Sequence, residues 1–155
     1  MPESSRAAQL DDIDELTRLV VEGRDSVADA RGGELWLDRH APRGEPRAHY
    51  TEAMISPDRL VQLALIDQVP CGFLNSVVDR SGRRTIAIVE EVYVTEPARG
   101  IGLGELLMDA ALDWAEANDC VGIDGYALPG DRATKNFFET FGLVARGIVV
   151  HRPIG

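Results

Sequence analysis

Residues 86–117 read IAIVEEVYVTEPARGIGLGELLMDAALDWAEA, and a change of period inside them decides the fold class. The first part, within TIAIVEEVYVT (85–95), is rich in β-branched and aromatic residues and predicts a strand. From Leu103 the apolar residues Leu103, Leu106, Leu107, Ala110, Ala111 and Trp114 recur at one-face helical spacing, predicting a helix that ends near Asn118. Between them stand three glycines in five residues, Gly100, Gly102 and Gly104. A strand, a glycine turn and a helix start together make an anion site. The first helical turn has N–H groups without intrahelical partners, its dipole favours negative charge, and glycine lets a ligand approach the backbone. The dinucleotide pattern GxGxxG would need glycine where Glu105 stands, and the P-loop pattern GxxxxGK[ST] is absent.

Upstream, RLVQLALI (59–66) and CGFLNSVVD (71–79) read as strands joined by a turn at DQVP (67–70), and Ser81-Gly82-Arg83 turns the chain into 85–95. These three runs predict an antiparallel meander. Downstream, VGIDGYAL (121–128) predicts a strand, LPGD a turn, RATKNFFETF (132–141) a helix stopped by Gly142, and LVARGIVVHR (143–152) a closing strand. At the N-terminus, SRAAQ (5–9) predicts a short strand. Asp11 or Asp12 then caps a helix carrying Ile13, Leu16, Leu19 and Val20 on one face, with Glu15 near a capping-box position. Residues 30–48 are rich in Gly, Pro and Arg and read as a loop or a short helix with loops; residues 49–56 read as a turn or two of helix. The expected class is α/β, a mixed and mostly antiparallel sheet flanked by helices.

A length of 155 residues predicts one domain over 1–155. No apolar run approaches a transmembrane length, and MPESSRAAQLDD lacks a basic segment followed by an apolar one. The expected location is therefore the cytoplasm, with no membrane partner. The formal net charge is -10, and residues 1–60 and 61–155 each hold 8 basic and 13 acidic side chains. Such an evenly acidic surface disfavours nucleic acid and suits a cationic small molecule, although solubility alone also explains it. Cys71 and Cys120 show no metal spacing and read as free core thiols, so no metal is expected.

The run Arg99-Gly100-Ile101-Gly102-Leu103-Gly104 resembles the [R/Q]xxGx[G/A] pyrophosphate-binding motif of the GNAT superfamily of acyl-CoA N-acyltransferases. LPGDRATKNFFETFGL resembles that family's second signature, and the likeness extends from about residue 5 to residue 150. The resemblance implies a GNAT-like fold and acetyl-CoA as co-substrate, with an amine as acceptor. It implies that backbone groups of Val92 and Val94, with Tyr93 between them, carry the pantetheine arm as a further strand would. It implies that N–H groups from Gly100 through Ile101, Gly102, Leu103 and Gly104 to Glu105 hold the pyrophosphate, with Arg99 opening the motif. Asp131 stands where relatives often have an Asn that reaches the CoA arm; Asp keeps the acceptor and loses the donor. Dimers are common among relatives, so a homodimer is compatible with the sequence.

The family's reaction is direct attack of an amine on a thioester. An alkylamine with a pKa of about 10.4 must lose a proton first. Glu90 and Glu91, adjacent carboxylates inside an apolar strand, are the candidate bases, with a salt bridge to Arg as the alternative role. Strand alternation predicts that they point to opposite faces, Glu90 with Ile88, Val92 and Val94, and Glu91 with Val89 and Tyr93. Many relatives place a Tyr acid where Phe138 stands, so Tyr126 is the candidate acid, with Tyr93 or a water as alternatives and packing against the sheet as its other role. A strand N–H near Val92 would stabilise the carbonyl oxygen. Trp36 and Tyr50, in the region where relatives build the acceptor pocket, are the candidate substrate-binding residues. The acceptor is expected to be a small, cationic amine; a protein N-terminus or lysine is the alternative, and a non-catalytic acyl-CoA-binding module is the reading of another class.

Overall fold

The run at 85–95 forms a strand in the computed structural model, which describes residues 2–155. In chain order the strands are β1 (Glu3–Ala7), β2 (Arg59–Ile66), β3 (Val69–Asp79), β4 (Ile86–Val94) and β5 (Ile123–Gly125). The α-helices are α1 (Ile13–Ala28), α2 (Gly33–His40), α3 (Pro46–Ala53), α4 (Leu103–Ala117) and α5 (Arg132–Thr140). The strands form one sheet in the order β1-β2-β3-β4-β5. β1 through β4 are antiparallel neighbours, and β5 runs parallel to β4. A parallel neighbour needs a crossover, and α4 supplies it.

Strand alternation sends side chains to two cores. On one face Val61, Leu63, Leu65 and Phe73 pack with Ile13, Leu16, Leu19 and Val20 of α1 and Tyr50 and Ala53 of α3. On the other, Ala64, Leu74 and Val89 pack with Leu103, Leu107, Met108 and Ala111 of α4 and Phe138 of α5. The sheet is thus the middle of three layers. The α1 face is the one its period predicts. The buried stripe of α4 is rotated from the predicted one: Met108 and Ala115 are buried, while Leu106 and Trp114 lie at its margin.

The turn between β2 and β3 is tight, with Asp67 and Gln68 at φ +48° and +70°. Two left-handed residues match the twist of a hairpin, although neither is glycine. The 30–48 region is mainly helix: glycines in the left-handed region, Gly32 and Gly44 (φ +78° and +88°), bracket α2, and Pro46 starts α3. Asp12 does not cap α1 through its side chain. Its carboxylate instead accepts from the Gln9 N–H at 2.8 Å and from Arg6 at 2.7 and 2.9 Å.

Three strand expectations are corrected at the ends of the sheet. The first strand is Glu3–Ala7 rather than 5–9. The strand expected over 121–128 is only Ile123–Gly125, and residues 143–152 form no strand. A strand needs a neighbouring backbone, and β5 offers an edge of three residues. Beyond the Leu143 N–H, which donates to Phe138 O, the remaining segment makes no backbone hydrogen bond to the other described residues.

Candidate active site

A cavity of about 520 Å³ lies between β4, the α1 and α2 helices and the elements that follow β4. Its mouth exists because β4 and β5 part company. They pair only at Ala87↔Ile123, Ile88↔Asp124 and Val89↔Gly125. One residue later a β-bulge interrupts β4: Ser76 of β3 faces Val89 and Asn75 faces Glu91, so Glu90 has no partner. A bulge reverses which backbone groups point to which edge. Before it, the Ala87 N–H donates toward β5, to Gly122 O at 3.0 Å. After it, the Thr95 N–H donates to Cys71 O at the β3 side, which leaves the groups of Val92 and Val94 on the opposite, unpaired edge. These are the two residues the resemblance names for the pantetheine arm. Arg99 already holds one of their groups, its Nε donating to Val94 O at 2.8 Å while its guanidinium lies 5.5 Å from the Tyr93 ring centre.

The same bulge corrects the placement of the carboxylates. Glu90 and Glu91 point to the same face, not to opposite ones. Glu91 accepts from Arg24 Nε of α1 at 2.8 Å and from the hydroxyl of Tyr50 of α3. Glu90 accepts from Arg59 Nη1 at 2.5 Å and from Asn75 Nδ2 at 3.3 Å. Val89, Val92 and Val94 all face the α4 side. Both carboxylates line the cavity, and each is ion-paired from beneath.

Tyr50 is fully buried and does not line the cavity. Its expected contact with substrate is therefore corrected to a contact with Glu91. Burial, then the Glu91 charge, pushes its phenol well above the usual tyrosine value, so it remains a hydrogen-bond donor. His49 beside it leaves a buried Nε2 without a partner among the described residues. Burial and the Arg59 charge lower its pKa, against the opposing pull of Glu90 and Glu91. Trp36 of α2 does line the cavity, as does Tyr126; their rings meet edge to face at 6.0 Å, and His40 stacks on Tyr126 at 5.6 Å. Tyr126 thus packs on α2 rather than on the sheet.

At the other end, the glycine motif divides its labour. Gly100 and Gly102 adopt φ of +84° and +95°, conformations that favour glycine, and a Cβ on either would meet open space. Gly104 is small for a different reason. A Cβ there would lie 2.8 Å from Phe137 Cε1, so this glycine seats the α5 aromatic against α4. The N–H groups of Leu103, Gly104 and Glu105 open α4, and the first intrahelical bond runs from Leu106 N to Gly102 O at 3.1 Å. Ile101 is exposed beside them. Asp131 lines the cavity but accepts from Thr134 N at 3.1 Å and Thr134 Oγ1 at 2.7 Å, which caps α5.

Phe137 and Phe138 are packing residues. Phe138 is buried against Gly125, where a Cβ would lie 2.5 Å from its Cζ. Cys71 and Cys120 are free and half-buried. Among the described residues no cluster of His, Cys, Asp and Glu could hold a metal, and no helix is long and apolar enough to cross a membrane. Arg24, Arg59 and Asn75 are site-supporting residues that the sequence reading did not single out. Arg24 continues the buried stripe of α1, and Asn75 interrupts the apolar run of β3; a charged or amide group in such a position signals a buried partner.

The sequence model of the acetyltransferase (GNAT) family matches residues 28–143. No curated protein matches the sequence. Solved structures share the fold at low identity. A tetramutant of the BH1408 protein from Bacillus halodurans has a TM-score of 0.79 at 16% identity, over 97% of this chain and 99% of that one. AAC(6')-Iy in complex with the bisubstrate analogue CoA-S-monomethyl-acetylneamine has 0.75 at 15%, over 100% and 99%. The ribosomal-protein-alanine N-acetyltransferase from Brucella melitensis biovar Abortus 2308 has 0.71 at 15%, over 99% and 100%. The parted strands, the glycine turn and the helix start all lie within the matched residues, and with that match the chain belongs to the GNAT family of acetyltransferases.

Proposed function

We propose that this protein transfers an acetyl group from acetyl-CoA to a primary amine of a small, cationic molecule. One observation carries the reading: the unpaired edge of β4 at Val92 and Val94 leads from two cavity-lining carboxylates to the open amides of α4. A strand-like arm ending in an anion fits such a path. The Val92 and Val94 backbone would hold the arm, and Leu103, Gly104 and Glu105 N–H groups with Gly100 and Gly102 would hold the pyrophosphate. Acetyl-CoA supplies a thioester carbonyl that a neutral amine attacks directly.

The residues of the chain do the rest. Glu90 accepts a proton from the ammonium form, directly or through one water. Arg59 and Asn75 fix its carboxylate, and Arg24 and Tyr50 fix Glu91 behind it. The Val92 N–H on the open edge donates to the carbonyl oxygen as charge builds there. Tyr126, half-exposed on the cavity wall, or a water returns a proton to the leaving sulfur. A thiol of pKa about 8.5 leaves at pH 7 at a cost of about 2 kcal/mol without any acid. Trp36 and Tyr126 form the aromatic wall against which the acceptor lies. The neighbour bound to a CoA–acetylneamine analogue supports an amine acceptor of this kind.

The test is acetylation of a panel of amines with product masses. Glu90→Gln should lower kcat about 100-fold with acetyl-CoA affinity retained; full activity of that variant at neutral pH refutes Glu90 as base. The ion pairing of both carboxylates favours a second reading, a module that binds acetyl-CoA without turnover. Tight binding with no product from any amine or peptide in the panel would establish that reading instead.

A further inference from the structure

The charges that line the cavity are not equally available to a ligand. They are Arg24, Glu90, Glu91, Arg99, Glu105 and Asp131. Arg99, Glu105 and Asp131 belong to the glycine turn, the start of α4 and the cap of α5. The other three stand where the acceptor would react, and each is already paired. Glu91 is bridged to Arg24 at 2.8 Å and Glu90 to Arg59 at 2.5 Å. The two carboxylate side chains are 7% and 18% exposed, so salt screens these pairs weakly. Two carboxylates and two guanidinium groups sum to no net charge.

The adjoining end of the cavity is apolar. Val27 of α1, Trp36 and Leu37 of α2, and Tyr126 after β5 line it. The Trp36 ring meets Tyr126 at 6.0 Å, and His40, which is neutral or cationic, stacks on Tyr126 at 5.6 Å. The acidic residues of α2, Glu34 and Asp38, each stand two positions from Trp36, so helical period turns them to the opposite face, and neither lines this cavity. One ammonium group therefore finds a partner here and a second does not. The first approaches Glu90. A second would lose its water against Trp36, Leu37 and Tyr126, or meet the like charge of Arg24, with no free carboxylate in exchange. A planar apolar group in the same place packs on the indole and phenol rings instead.

We propose that the acceptor is an arylalkylamine, a primary amine that bears one positive charge on an aromatic body, and not a polyamine. This narrows the cationic acceptor proposed above and rests on that reading. Acetylation forms the amide N–C bond and breaks the thioester C–S bond. Of the two protons that the nitrogen loses, one passes through Glu90 to solvent and one goes to the leaving sulfur. The products are a neutral amide and free CoA. The reaction thus removes the one charge that engages Glu90, and the product keeps only its apolar contacts with the wall.

The experiment compares para-methylbenzylamine with para-xylylenediamine, which differ by one ammonium at the far end of the ring. With the whole chain and acetyl-CoA, kcat/KM should be at least about tenfold higher for the monoamine, and spermidine should do no better than the diamine. Binding is read separately from turnover. The chain has two tryptophans, so a Trp114→Phe variant leaves Trp36 as the reporter. Its fluorescence, with CoA bound, should saturate with the monoamine and require at least about tenfold more diamine. Trp36→Ala should raise KM for the monoamine about tenfold with kcat within about twofold, and should leave methylamine unaffected; Trp36→Phe should recover most of the loss. Diamine or spermidine used as well as the monoamine overturns the proposal, as does an unchanged KM in Trp36→Ala. Product from no amine, with a Trp36 response selective for the monoamine, sustains this selectivity and refutes only the transfer reaction. Product from no amine and no Trp36 response overturns both.

Discussion

Tyr50→Phe isolates the support beneath the carboxylate pair. Tyr50 is fully buried, and its hydroxyl donates to Glu91 Oε2. Phe keeps the ring and its edge-to-face contact with Phe73, so little packing is lost. What goes is one hydrogen bond to a charged group whose side chain is 7% exposed. That oxygen then retains only Arg24 Nη2, at 3.3 Å. A hydrogen bond to a charged group contributes about 1.5–3 kcal/mol. For a chain of this length the midpoint of thermal unfolding should fall by about 3–12 °C. Urea unfolding at pH 7 should show a lower midpoint with an unchanged m-value. Affinity for acetyl-CoA should be unaltered, because Tyr50 does not line the cavity. In a double-mutant cycle with Glu91→Gln, the Tyr50 effect should shrink, since its charged partner is gone. A loss below about 0.5 kcal/mol in the single variant would refute the network as drawn.

Three further outcomes follow from particular contacts. The His49 pKa is lowered in the fold, so in acid the unfolded chain takes up a proton that the folded chain resists. Stability should therefore fall as pH drops through the unfolded value of about 6.5, and His49→Gln should flatten that slope in urea titrations between about pH 5 and 7.5. Gly125→Ala would place a Cβ 2.5, 2.8 and 2.9 Å from three ring atoms of Phe138. It should cost about 1–3 kcal/mol, with Phe138→Leu recovering part of the loss; unchanged stability would contradict this contact. Gln68→Gly should stabilise by about 0.5–1 kcal/mol, because Gln68 sits at φ +70° in the β2–β3 turn, and a thermal scan checks it.

Much of this architecture was legible in the sequence because local patterns carry it. Val61, Leu63 and Leu65 alternate, and Ile13, Leu16, Leu19 and Val20 recur every third or fourth residue. The glycine junction was legible for the same reason, since left-handed backbone at Gly100 and Gly102 leaves a residue-type trace. The facing of Glu90 and Glu91 was not. It depends on one unpaired residue opposite Asn75 and Ser76, and pairing between strands is not written in either strand alone. The roles of Gly104 and Asp131 were hidden likewise. Both sit in the expected pattern, yet Phe137 and Thr134 take the contacts, and those partners lie on α5. The segment 143–152 has strand composition, but composition does not supply the neighbour that a strand requires.

The extra residue at Glu90 has a consequence for how this strand tolerates change. It acts as a phase shift: residues 86–89 and 91–94 follow the same alternation, but out of step by one. Removing Glu90 would restore one continuous rhythm and leave the register on both sides intact, because Val89 would still face Ser76 and Glu91 would still face Asn75. Val92 and Val94 would keep to the α4 core with their edge groups open, and the Tyr93 ring would stay beside Gly23, where a Cβ would lie only 3.1 Å away. What would go is the Glu90 carboxylate with its bonds to Arg59 and Asn75. Loops elsewhere in the chain can lengthen or shorten at little cost, and this position shares that freedom in the middle of a strand. It carries chemistry but no register: its loss would erase a carboxylate, not the cavity.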